Sequence, residues 1–177
     1  MNCVYSDENA MKSQLVEWLG SAGFTVKRGV RIGRLELDVV AVGSLLITRN
    51  GVKRARENSV YVFEAKIATS RRLQRDLVEQ AIVRLLMADY VYVVVPKRAE
   101  VWVDEKTRTL IEPPSILGRI MWGCYSTIVG ILAMEPSKPV EVVREARRSS
   151  LVLQELKKQV VQRVVSAGFI DAQYKTI

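Results

Sequence analysis

Asp38, Glu64 and Lys66 carry charge in stretches that otherwise read as core strands. Asp38 stands in Leu35-Glu36-Leu37-Asp38-Val39-Val40-Ala41-Val42. Glu64 and Lys66 stand in Val60-Tyr61-Val62-Phe63-Glu64-Ala65-Lys66-Ile67. Both stretches are short, rich in Val, Leu and aromatic residues, and bounded by Gly, Asn or Ser, as strands are. A period of two puts Glu64 and Lys66 on one face, about 7 Å apart along the chain, with Tyr61, Phe63, Ala65 and Ile67 on the other. In the first stretch Asp38 shares a face with Glu36, while Leu35, Leu37 and Val39 take the other. If the strands pair, Asp38 can lie opposite Glu64, and two carboxylates and an ammonium converge.

Two carboxylates suit Mg²⁺, which takes oxygen ligands and keeps several waters; Mn²⁺ can replace it in such a site. A bound cation lowers the pKa of a coordinated water and steadies charge in a displacement at phosphorus. A Lys alongside can position or deprotonate that water, or offset phosphate charge. The plain alternative is a cross-strand salt bridge on a wet sheet face. Against it, both strands are otherwise strongly apolar, and charge in a buried sheet is costly enough to need a reason.

The flanking elements follow from pattern. Residues 6 to 22 read as a helix capped by Ser6 or Asp7, with Met11, Leu15, Trp18, Leu19 and Ala22 as its apolar stripe and Gly23 as its stop. Phe24 to Val30 reads as a strand, turning at Arg31-Ile32-Gly33-Arg34. Arg49 to Ser59 reads as a polar loop around the Asn50-Gly51 turn signal, with Lys53, Arg54 and Arg56 at its tip. Thr69 to Ala88 reads as a helix with a core face of Leu77, Val78, Ala81, Ile82, Leu85 and Ala88. Asp89 to Val95 reads as a central buried strand. A short strand is expected at Val101 to Val103, a short helix from Ser115 to about Trp122, and an apolar strand from Ser126 to Met134. Val140 to Ala167 reads as a long helical region broken at Ser149-Ser150 and closed by Gly168; its two helices, the second with a Leu153, Leu156, Val160, Val161 and Val164 stripe, would cover the sheet, pair with a second copy as a homodimer or touch DNA.

The spacing of Asp38 and Glu64-Ala65-Lys66 across a hairpin resembles the PD-(D/E)XK, or restriction-endonuclease-like, nucleases, which include archaeal Holliday junction resolvases and RecB-type nuclease domains. The match covers roughly residues 8 to 95, and Leu37 stands where the motif's Pro would be. The resemblance implies a metal-dependent phosphodiesterase, with Asp38 and Glu64 as metal ligands and Lys66 at the attacking water. It also implies an acidic residue on the first helix. Glu8 is in phase with the stripe for that role and Glu17 points away, while Lys12 occupies the family's usual position. Gln80 matches a Gln that supports the site in RecB-type members. The implied fold is α/β, an αβββαβ core on a mixed sheet with helices on both faces, extended by a further strand and C-terminal helices. The corresponding division is residues 1–136 as the nuclease-like domain, with 137–177 as a helical extension packed on it.

Composition points the same way. The chain has 177 residues, 27 Lys and Arg against 19 Asp and Glu, and a net charge of +8. A basic surface of this size favours an anionic partner, with DNA foremost. Candidate phosphate contacts are Arg31, Arg34, Lys53, Arg54, Arg56, Arg71, Arg72 and Arg84. There is no histidine, which excludes Ser-His-Asp and Cys-His catalysis and His-ligated metals. Cys3 and Cys124 lack metal-type spacing and fit a reducing compartment. Met121 to Met134 is too short and polar to span a bilayer, so a cytoplasmic, non-membrane protein is expected. Scarce Asn, Gln and Cys hint at a thermophile. No Walker-type phosphate loop is present, which argues against an ATPase. The expected function is a Mg²⁺-dependent DNA endonuclease; the rivals are a non-catalytic nucleic-acid-binding protein on the same scaffold and an assembly subunit.

Overall fold

The computed structural model describes residues 4–102, 106–111 and 113–165. Cys3, Val103, Ala167 and Gly168, named above, lie outside the described residues. The chain is an α/β protein built on one mixed six-stranded sheet. It opens with α1 (Glu8–Ser21), followed by β1 (Thr25–Ile32), β2 (Leu35–Thr48), β3 (Gly51–Ala65), α2 (Arg71–Arg84) and β4 (Tyr90–Pro96). The order α-β-β-β-α-β is the one expected. A small hairpin of β5 (Ala99–Trp102) and β6 (Arg108–Ile111) follows, then α3 (Pro113–Cys124), β7 (Gly130–Met134), β8 (Glu141–Arg144) and α4 (Gln154–Val164). The sheet order is β1-β2-β3-β4-β7-β8. β1, β2 and β3 run antiparallel, β3, β4 and β7 parallel, and β8 antiparallel at the far edge.

The two faces carry different helices. α1 begins where the Asp7 carboxylate accepts the Ala10 amide at 2.8 Å, satisfying an amide the helix cannot pair internally. Met11, Leu15 and Leu19, four residues apart, then pack on Tyr61, Phe63, Tyr92 and Leu132. The opposite face takes α2, α3 and α4, where Leu77, Ala81, Ile116, Ile120 and Val160 meet Val40, Val62, Val91 and Val93. Each such Leu, Ile or Val side chain, moved from water to core, contributes about 1.5–3 kcal/mol. Ile82, expected in the core, is 41% exposed, because the α2 stripe runs through Leu77, Ala81 and Arg84 instead.

Two expectations need correction. Residues 51–59 are not a loop: β3 starts at Gly51, and Leu45 to Thr48 pair with Gly51 to Arg54 in a hairpin. The run looked like a loop because most of its side chains face solvent, leaving no apolar alternation. Lys53, Arg54 and Arg56 therefore sit on a strand, interrupted by a register shift between Gly43 and Leu45. Nor is the part of the C-terminal region before the expected Ser149-Ser150 break a helix. Glu141–Arg144 pairs with β7 as an edge strand, and α4 begins only at Gln154. The connecting segment is tied down at Ser149, whose amide donates to Asp89 O at 2.7 Å and whose hydroxyl donates to Leu85 O at 2.8 Å.

Candidate functional site

The site forms where the β2–β3 ladder opens. Pairing runs from Val42–Val60 to Val39–Phe63, and one further step along it are Asp38 and Glu64. There the Ala65 amide donates to Asp38 Oδ2 at 2.9 Å, so a carboxylate takes the place of a backbone carbonyl. On the other side, β1 and β2 pair at Arg28–Val39 and Val30–Leu37, leaving Gly29 and Asp38 between them without a pairing of their own. Gly29 has φ 59°, a left-handed conformation that only Gly adopts without strain. Both strands turn over at this point. Leu37 packs on the α2 face and Val39 on the α1 face, so the expected common face of Leu35, Leu37 and Val39 is not kept. Glu36 is exposed beside Arg31, 3.1 Å away.

Each carboxylate is held by its own cation. Lys12 on α1 donates to Asp38 Oδ1 at 2.7 Å. Arg84, in the last turn of α2, donates from Nε to Glu64 Oε1 at 2.8 Å and from NH2 to Glu36 O at 3.0 Å. Glu64 and Arg84 are both buried. Burial pushes the Glu64 carboxyl up to about 7, and the nearby Asp38 charge adds to that rise against the opposing pull of Arg84.

Glu8 and Lys66 form the rim. Glu8 Oε2 accepts the Ile67 amide at 3.1 Å and lies 3.4 Å from Lys66 Nζ. Lys66 thus pairs with α1, whereas Glu64 pairs with α2 on the opposite side of the sheet. The single face expected for Glu64 and Lys66 is not observed, because β3 ends at Ala65 and period two stops with it. Lys66 keeps 40% of its side chain exposed, and Asp38 keeps 24%. A substrate can therefore reach the ammonium and one carboxylate directly.

Other assignments change. Gln80 is exposed on α2, one turn before Arg84 and on the flank of the buried stripe. Arg84, expected to contact phosphate, is taken up by Glu64. Arg31, Arg34, Arg71 and Arg72 are exposed, with Arg72 3.8 Å from Asp76. Glu17 also faces solvent. The roles of Lys12 and Arg84 were missed. Arg84 had a signal: it falls seven residues after Leu77 and three after Ala81, on the apolar stripe, where a cation must find a buried counter-charge.

Among the described residues no three Asp, Glu, Cys or His side chains gather to hold a metal by themselves. The Asp38 and Glu64 pair still fits the donor chemistry of Mg²⁺, which commonly takes one or two carboxylates and completes its shell with waters and substrate phosphate oxygens. Asp38 and Glu64 would hold it, with Lys12 as the ammonium it must displace or share.

No family model matches the chain, and no curated protein matches it. Among solved structures, SfsA of Pyrococcus furiosus in complex with Ca²⁺ is similar at 13% identity and a TM-score of 0.28. That match covers 82% of this chain and 62% of the other, a likeness too distant to bear on fold or activity. No helix among the described residues is long and apolar enough to cross a membrane.

Proposed function

We propose that the chain is a divalent-cation-dependent phosphodiesterase acting on nucleic acid, with DNA as the expected substrate. The observation that carries this reading is the meeting of Asp38 and Glu64 where the β2–β3 ladder opens, with Lys66 at the exposed rim. Mg²⁺ or Mn²⁺ bound there would supply an acidified water and charge stabilisation at phosphorus. The protein's own residues orient the reaction. The Ala65 amide and Lys12 fix the Asp38 carboxylate from two directions. Arg84 holds Glu64 in the sheet. Lys66, steered by Glu8, offsets charge on the phosphate that enters. The net charge of +8 favours a polyanion through counterion release.

A second reading has its own support. Lys12 and Arg84 already neutralise both carboxylates, as they would in a nucleic-acid-binding protein whose site does no chemistry. The two readings separate in a cleavage screen of supercoiled plasmid, linear duplex, single strand, four-way junction and RNA. Each substrate is run with Mg²⁺, Mn²⁺ or EDTA, against wild type and Asp38→Ala. Cleavage that needs both metal and Asp38 is the expected result. Cleavage indifferent to either one overturns the hydrolase. Salt-sensitive binding without cleavage of any substrate favours the second reading.

A further inference from the structure

α2 and α3 leave a groove of about 590 Å³ between them, and its lining has a specific chemistry. Arg71 and Arg75 line it from α2 and Arg119 from α3, with the Trp122 indole alongside. Trp122 is 82% exposed, unusual for so large an apolar ring. Gly123 makes the close approach of the helices possible, since a Cβ there would come within 3.2 Å of Val78. Glu79 is the acidic residue in the lining, and Arg75 lies 3.7 Å from it. Arg75 has Glu79 as its i,i+4 partner on the helix, but the start of α2 is unfavourable for its other cations. Arg71 and Arg72 stand in the first turn of α2, which has no acidic residue, although the helix dipole disfavours positive charge there. Gln74, which also lines the groove, donates to Ala68 O at 2.9 Å, two residues beyond Lys66.

Arginines beside an exposed indole are the means by which proteins hold an unpaired nucleic-acid strand. Cations track the backbone and the ring stacks a base, which a duplex does not offer. We infer that the α2–α3 groove binds a single strand leading to or from the carboxylate pair, with Trp122 stacking on a base and Arg71, Arg75 and Arg119 facing phosphates. This deepens the hydrolase reading and rests on it for where the strand leads. The substrate class it names is single strands, tails and flaps rather than uninterrupted duplex.

The test is equilibrium binding of labelled oligo(dT), oligo(rU) and a duplex of equal length, in EDTA so that hydrolysis plays no part. Trp122 is exposed, so Trp122→Ala should fold; circular dichroism checks this. The expected result is a loss of single-strand affinity of about tenfold to a hundredfold, the worth of one stacked base, with duplex affinity nearly unchanged. Trp122→Phe should restore most of the affinity while losing the quenching of indole fluorescence by oligo(dT). Arg71→Ala with Arg119→Ala should flatten the dependence of log affinity on log salt by about 0.7 per arginine. Equal losses for duplex and single strand, or no loss in either set of variants, overturn the groove. So does a concentration-dependent dimer that Trp122→Ala dissolves while oligonucleotide binding persists. Plasmid cleavage with an inert groove would leave the hydrolase standing without this strand path. Groove-dependent binding without cleavage would do the reverse.

Discussion

β3 meets a carboxylate at each end of its core run, and the two ends are built differently. At Val60 the amide donates to Asp89 Oδ2 at 2.8 Å. Lys157 from α4 lies 2.7 Å from the same carboxylate, and Arg148 lies 3.6 Å from it. Several donors close on one acid, which fastens the C-terminal segment to the sheet. At Ala65 the amide donates to Asp38, but a second carboxylate, Glu64, stands beside it, and each takes one cation. A structural knot needs one acid. A second acid beside the first brings repulsion and a further buried charge to neutralise, which costs folding free energy. The open end of β3 is thus the one that stability alone does not explain.

The largest expected effect tests that difference. Arg84→Met leaves Glu64 buried without its cation and should lower unfolding free energy by about 3–5 kcal/mol. The double variant Glu64→Gln, Arg84→Met should recover much of it. At the other end, Lys157→Ala leaves Asp89 its Val60 amide and Arg148, so a loss of about 1–3 kcal/mol is expected. Urea unfolding measures all three, and equal losses at the two ends would erase the contrast.

Next comes pH. The Glu64 carboxyl is raised to about 7 in the fold, above its ordinary value in the unfolded chain, so between the two values the folded state binds the extra proton. The stabilisation this gives is fully present below the unfolded value and is lost as pH rises through about 7. Wild type should therefore lose stability between about pH 5 and 7, and Glu64→Gln should flatten that slope. A slope that Glu64→Gln leaves intact would place the titration elsewhere.

Lys12→Ala is a subtler probe. Removing an ammonium 2.7 Å from Asp38 should lower the Mg²⁺ concentration for half-maximal cleavage roughly tenfold, about 1.4 kcal/mol of relieved repulsion. If Lys12→Ala instead abolishes cleavage, Lys12 takes part in the chemistry. The smallest effect is expected for Gln80→Ala: less than about twofold in cleavage rate, since Gln80 is exposed and its loss leaves the Arg84–Glu64 pair one turn on intact.

Much of the site's frame was legible in the residues. The Asp7 cap, the apolar strands and the Asp38–Glu64 opposition follow from period and turn chemistry alone. Three features did not, for separate reasons. In the β2–β3 hairpin the apolar contacts come mainly from the β2 side at Ile47, and residues 51–58 are exposed but for the half-buried Val52 and Ala55, so they carry no alternation. Glu141–Arg144 is a four-residue edge strand whose state is set by β7 beside it rather than by its own propensity. The cations Lys12 and Arg84 lie 26 and 20 residues from their partners, and only the rolling of α1 and α2 on the sheet decides which side chains reach the acids. The faces of Asp38 and Lys66 were misjudged for a local reason. A glycine at positive φ and a strand end each break the period that the expectation assumed.

The claim that most needs testing is that Asp38 and Glu64 hold a divalent cation. Thermal unfolding with and without millimolar Mn²⁺, at pH 8 and pH 6, tests it without reference to any substrate. Asp38→Asn is the control, since its amide oxygen can still accept from Ala65. The account predicts a rise in Tm for wild type at pH 8, as expected when a ligand binds only the folded state. That rise should shrink at pH 6, where a proton on Glu64 competes, and be absent in Asp38→Asn. An unchanged wild-type Tm at pH 8, or the same rise in Asp38→Asn, would contradict it.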